Sequence, residues 1–128
     1  MLKLKSVWDP MKKEDGLRIL STRFRGRGLP KSRYDVWMAN LAPTEKTLKL
    51  FQSDKMEWEE FVKQYKKELF YSHNLDKRCN TILNHGQKFT LRLLKKLSHK
   101  QNVTLMCHCD TGKKYCHLNI LKDQIKIN

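Results

Sequence analysis

Val103-Thr104-Leu105-Met106-Cys107 is apolar or β-branched at every position and lies between Asn102 and a polar segment that starts at Asp110. A short run with no polar alternation reads as a strand covered on both faces. On its amino side, Phe89 to Lys100 carries Leu93, Leu94 and Leu97 at helical spacing, with the leucines turned inward. On its carboxyl side, Cys116 to Ile127 places Leu118, Leu121 and Ile125 in the same way. Near the start of the chain, Leu2, Leu4, Ser6 and Trp8 alternate with Lys3, Lys5 and Val7 until Asp9-Pro10 stops the pattern, and Leu17 to Phe24 forms a second strand candidate. The expected architecture is a single small α/β domain over residues 1–128, with a short sheet of about three strands covered by helices. Strand order does not follow from this pattern.

Between the terminal strands the periodicity is helical. Asp35 is placed to cap a segment holding Val36, Trp37, Met38 and Leu41 before Pro43, and Thr44 to cap a short helix with Leu48 and Phe51. Asp54 followed by Glu57 resembles a capping box, and Trp58, Phe61, Val62, Tyr65 and Leu69 then mark one apolar face. A further helix is expected over Leu75 to Asn84, ending at Gly86, with Cys79 packed inside it. The stretch Arg25-Gly26-Arg27-Gly28 is a loop.

The 128 residues include 27 Lys and Arg against 13 Asp and Glu, a formal charge of +14, so a polyanionic partner comes first to mind. No run approaches the roughly 18 apolar residues of a membrane span, and the opening Met1-Leu2-Lys3-Leu4-Lys5 lacks the apolar centre of a signal peptide. A cytoplasmic location with reduced thiols is the resulting expectation.

Several motifs occur in a familiar order. These are Val7-Trp8-Asp9-Pro10; Asp15-Gly16 with Arg18-Ile19-Leu20 and Arg23; Arg27-Gly28-Leu29; Trp37 with Leu41-Ala42-Pro43; and Trp58-Glu59-Glu60-Phe61 with Tyr65 and Glu68-Leu69. Together they resemble the YeaO-like proteins, the family called domain of unknown function 488. The resemblance implies a small α/β fold and a Cys-His step near the carboxyl end, here Cys107, Cys109, Cys116 and His117. It implies no catalytic role, because the family is uncharacterised. Arg25-Gly26 stands where relatives usually have Trp-Pro, and Leu118 where Cys-His is often followed by Arg.

The segment Cys107-His108-Cys109-Asp110-Thr111-Gly112-Lys113-Lys114-Tyr115-Cys116-His117 runs from a strand end through a loop to a helix start, the place where open α/β sheets bind ligands. Two residues apart on a strand, Cys107 and Cys109 face one way and His108 the other. As a metal site, Cys107, Cys109, Cys116 and His117 supply four ligands of the kind zinc takes, although their spacing is not that of a zinc knuckle. As a nucleophile site, Cys109 with Gly112 and Lys114 is similar to an anion-binding Cys loop but lacks its arginine. As packing, the three cysteines fill core and cap positions. The three readings stay open, as does the question of whether the protein is an enzyme.

Residues 1–34 hold ten Lys and Arg against three acids. Arg23, Arg25, Arg27, Lys31 and Arg33, with Phe24 and Tyr34, combine forked donors with aromatic faces that suit nucleic acid. Lys88, Arg92, Lys95, Lys96, His99 and Lys100 form an acid-free set on one expected helix. The leading expectation is therefore a phosphate-driven nucleic-acid-binding domain, DNA or RNA, with no cofactor. The alternative is a Cys-dependent or zinc-containing enzyme acting on a small anion at the 107–117 loop.

Overall fold

The computed structural model describes the backbone of residues 1–76 and 79–128 and the side chains of residues 1–71 and 86–128. Strands β1 (Leu2–Ser6), β2 (Leu17–Leu20), β3 (Val36–Trp37) and β6 (Val103–Cys107) form one parallel sheet in the order β1-β6-β2-β3. Strands β4 (Ser72–Asp76) and β5 (Cys79–His85) form a separate antiparallel pair. The helices are α1 (Glu45–Gln52), α2 (Trp58–Phe70), α3 (Lys88–Lys100) and α4 (His117–Ile127). The α/β class is as expected; the main sheet has four strands, the fourth being the two-residue β3. No helix among the described residues is long and apolar enough to cross a membrane.

β6 is central, so both its edges are hydrogen-bonded and all five of its residues are buried. Val103, Leu105 and Cys107 join a core made with Phe61, Tyr65 and Leu69 of α2, Leu91 and Leu94 of α3, and Leu118, Leu121 and Ile125 of α4. On the other side Met106 meets Val7, Leu20 and Leu29, with Tyr34 packed against them. The Thr104 hydroxyl donates to the Asp15 carbonyl at 2.6 Å. The helices thus cover one face, while the segments after β1 and β2 cover the other.

Four expectations are corrected. Residues 35–41 do not form a helix capped by Asp35: β3 is followed by a short 3-10 turn at Ala39–Leu41. The Asp35 carboxylate is taken instead by Arg18, through its backbone N–H at 2.8 Å and its guanidinium at 3.1 and 3.3 Å, which draws the segment alongside β2. Residues 75–76 lie in β4 and 79–84 in β5, not in a helix; Asn80, Thr81 and Asn84 are weak helix formers, and strand pairing overrides the sparse apolar spacing. The side chain of Cys79 lies outside the described residues. Finally, Asp54 does not cap α2 but takes a left-handed φ of 59° in the turn before it. α3 buries Leu91, Leu94 and Ser98 and leaves Leu93 exposed.

Thr44 caps α1 as its sequence suggests, accepting from the Thr47 backbone N–H. Glu68 of α2 fastens this cap, accepting from the Thr44 N–H and hydroxyl at 2.9 Å and from the Thr47 hydroxyl at 2.5 Å. Burial raises the Glu68 pKa, but the hydrogen bonds from Thr47, the Thr44 N–H and Gln64 outweigh it and hold the carboxyl below its ordinary value.

Candidate functional site

In a parallel sheet all strands end on the same side, so the loops after β1, β2, β3 and β6 meet at one edge. Cys107 is the last residue of β6 and points toward the helical core; Cys116 is the residue at which α4 begins. The chain between them turns back over the strand ends and is pinned by Thr111, whose Oγ1 accepts from the Ser6 N–H at 2.8 Å and donates to the Asp9 carboxylate. Sulfurs nine residues apart are thereby brought to 3.5 Å, and with Cys109 the three Sγ atoms lie within 4.8 Å of one another. The Lys113 ammonium is 3.9 Å from Cys109 Sγ.

The three thiols are not equivalent. Cys116 is drawn well below the ordinary thiol range: the Cys107 thiol donates to it, and hydrogen bonds from the His117 side chain and the Leu118 N–H add to this against the cost of burial. Cys107 is pushed up because its proton is held in that bond, and further by burial. Cys109 is raised by burial and by the negative charge of Cys116, which outweigh Lys113. Of the three thiols, Cys116 is the one drawn down.

His117 Nε2 lies 2.6 Å from the Ser21 carbonyl, an acceptor only, so that nitrogen donates. The ring stands edge-on to Tyr65 at 5.9 Å, and the Tyr65 hydroxyl is committed to the Leu41 carbonyl. Of the four metal-ligand candidates, three sulfurs converge while His117 is turned to Ser21. His108 points to the opposite side, as its alternation predicts, with Nε2 2.9 Å from the Arg25 carbonyl. That contact explains Gly26: its φ is 91°, and a Cβ there would meet the His108 ring at 2.6 Å.

The basic residues divide. Arg23 donates to the Pro43 and Ala42 carbonyls at 2.9 and 3.0 Å. Arg25 donates to the Tyr34 hydroxyl at 2.5 Å and the Leu29 carbonyl at 2.6 Å, and lies over the Tyr34 ring; Arg33 donates to the Asp9 carbonyl at 3.0 Å. These three are loop fasteners. Arg27 and Lys31 are exposed, as are Arg92 and Lys96 on α3, where Lys88 and Lys95 are half-buried. The α3 set does not join the thiols: its carboxyl end leads into the start of β6, and Lys95 and His99 line a groove with Met1 and Leu2 at the opposite edge of the sheet. Arg23 does join them, on the wall of a cleft of about 180 Å³ that also touches Cys107, Cys109 and His117.

Residues 2–128 match the family model described as the active DUF488-N3 subclade. The chain belongs to the DUF488 family. It is also 32% identical over 83 residues to the uncharacterized protein YeaO of Escherichia coli strain K12, a stretch covering 63% of this chain and 72% of that protein. No solved structure matches. Within this DUF488 domain Leu118, which stands where Arg often follows Cys-His, is buried in the core, so that position offers no charge to a ligand.

Sequence reading missed Ser21 and gave no role in the site to Tyr65, Lys113 and Thr111. Only the β2, α2 and loop positions assembled in space show that Ser21 orients His117 and that Thr111 holds the loop down.

Proposed function

We propose that the protein is a metal-containing enzyme whose centre is a soft divalent cation, zinc foremost, held by Cys107, Cys109 and Cys116, and that it acts on a small anion. The observation that carries this reading is the convergence of three sulfurs within 4.8 Å at the carboxyl edge of a parallel sheet. Zn–S bonds of about 2.3 Å in a tetrahedron separate sulfurs by about 3.8 Å, a spacing reached here by small side-chain rotations. Three protein ligands leave a fourth position, the pattern of catalytic rather than structural sites. Such an ion supplies a Lewis acid for an anionic group or for water. Lys113 offsets the accumulated thiolate charge, and His117, fixed by Ser21, positions Cys116 through a hydrogen bond. The word "active" in the family description accords with an enzyme.

Elemental analysis of protein purified without added metal tests the reading. About one equivalent of zinc, lost in Cys116→Ser, is expected; no metal, and no uptake when zinc is supplied, refutes it.

A second reading, nucleic-acid binding, is favoured by the exposed cations Arg27, Lys31, Arg92 and Lys96 and by the absence of any acid in α3. With Arg23, Arg25 and Arg33 held by the protein, contact falls to these side chains. Affinity for duplex and single-stranded oligonucleotides should then drop steeply with salt. Absence of binding at about 50 mM salt removes this reading.

A further inference from the structure

The cleft beside the thiols is walled by Phe24, Pro43 and Leu48 and closed on one side by Cys109 and His117. Its volume of about 180 Å³ is enough for a small organic molecule. No acidic side chain lines it. The single permanent charge on its wall is Arg23. Two of that guanidinium's nitrogens are bound, Nε to the Pro43 carbonyl and Nη2 to the Ala42 carbonyl; among the described residues Nη1 has no partner. The two bonds hold the planar group in one orientation, so a ligand meeting Nη1 does not have to order the side chain first.

We propose that this cleft binds a small organic carboxylate, with its anionic end on the free Nη1 edge of Arg23 and its apolar body against Phe24, Pro43 and Leu48. The division of the walls favours this class over phosphate. A dianionic phosphate needs donors on several oxygens; of the other polar side chains on the wall, Thr22, His108 and His117 are already bonded to the Phe24, Arg25 and Ser21 carbonyls, which leaves Arg23 and Gln52. A carboxylate with a flat or branched hydrocarbon body matches both parts. Its reacting group would then lie beside Cys109 and Cys107. As the substrate of the thiol-held metal this ligand rests on the preceding reading; its binding to Arg23 does not.

The experiment is a titration of the full-length protein with benzoate, followed by amide chemical shifts, with benzamide and inorganic phosphate as comparison probes. It is run on chelator-treated and on zinc-supplemented protein. Benzoate should shift the amides of Phe24, Leu48 and Cys109 in both. Benzamide, which lacks the charge, should bind about tenfold or more weakly. Arg23→Lys should weaken benzoate by a similar factor. Because Arg23 also fastens the loop, Leu48→Trp is the second variant: it fills the cleft, leaves Arg23 in place and should abolish the benzoate shifts. Equal binding of benzamide or of phosphate overturns the proposal, as does benzoate binding unaffected by Leu48→Trp. Benzoate binding with no zinc uptake sinks the metal reading and leaves the cleft assignment standing. Zinc uptake without benzoate binding does the reverse.

Discussion

Loading the thiol cluster with zinc should raise the melting temperature by an amount the geometry allows to be estimated. Cys107 and Cys116 are already 3.5 Å apart, and the remaining separations extend to 4.8 Å. Tetrahedral thiolate ligation at about 3.8 Å therefore requires the outermost pair to close by roughly 1 Å, within reach of a χ1 rotation at the half-buried Cys109. Since β6 and the start of α4 already hold two of the three ligands, little chain ordering opposes binding. A ligand that binds only the folded state at a hundredfold above its dissociation constant adds about 2.7 kcal/mol. For a domain of this size each kcal/mol moves the midpoint by about 3–5 °C, so the shift should be near 10 °C. The assay is a thermal melt of chelator-treated protein with and without zinc, together with a count of thiols accessible to a disulfide reagent. Zinc should protect three thiols, and Cys109→Ser should reduce both the shift and the protection. An unchanged midpoint at saturating zinc, or protection that does not depend on Cys109, would refute the reasoning.

Arg27→Ala should change stability by no more than about 0.5 kcal/mol, whereas Arg25→Ala, which loses two hydrogen bonds and its stacking on Tyr34, should cost about 1–2 kcal/mol; denaturant melts decide, and equal effects would show that Arg25 is not a fastener. Tyr65→Phe removes the buried hydroxyl that donates to the Leu41 carbonyl and should cost about 1–3 kcal/mol by the same measurement; a neutral result would mean that this carbonyl finds another donor. Stability should also fall on the acid side. Asp15 is lowered by Lys5 and the Lys12 N–H against its burial, Asp35 by Arg18, and Glu68 by its threonine partners. Carboxyls depressed in the folded state contribute above their unfolded pKa of about 4 and lose that contribution as pH falls through the lower folded values. The melting temperature should drop below about pH 4, less so in Asp15→Asn; a flat profile there would contradict these pairings.

The sequence by itself determined that β6 is buried on both faces, since Val103 to Cys107 offers no polar side to water. It also determined the apolar face of α2, the Thr44 cap and the opposed directions of His108 and the flanking cysteines. Each of these rests on period or on contacts within a few residues. The segment at Asp35 was misread because its local capping chemistry is sound; the charge that claims Asp35 sits 17 residues earlier on β2 and gains a bidentate ion pair by drawing the chain into the sheet. The pairing of β4 with β5 escaped notice because an apolar pair such as Ile82-Leu83 suits either state, and strand pairing is a non-local interaction. In the site, the types and order of Cys107, Cys109, Cys116 and His117 were legible. Which thiol is drawn down was not, because that depends on Cys107, His117 and the Leu118 N–H lying beside Cys116. The same holds for the arginines. A chain of letters shows charge, and only tertiary structure shows which carbonyls and ring Arg23, Arg25 and Arg33 are bonded to. Hydrogen-bond partners are assigned by distance in space, and parallel strands bring together loops that are far apart along the chain.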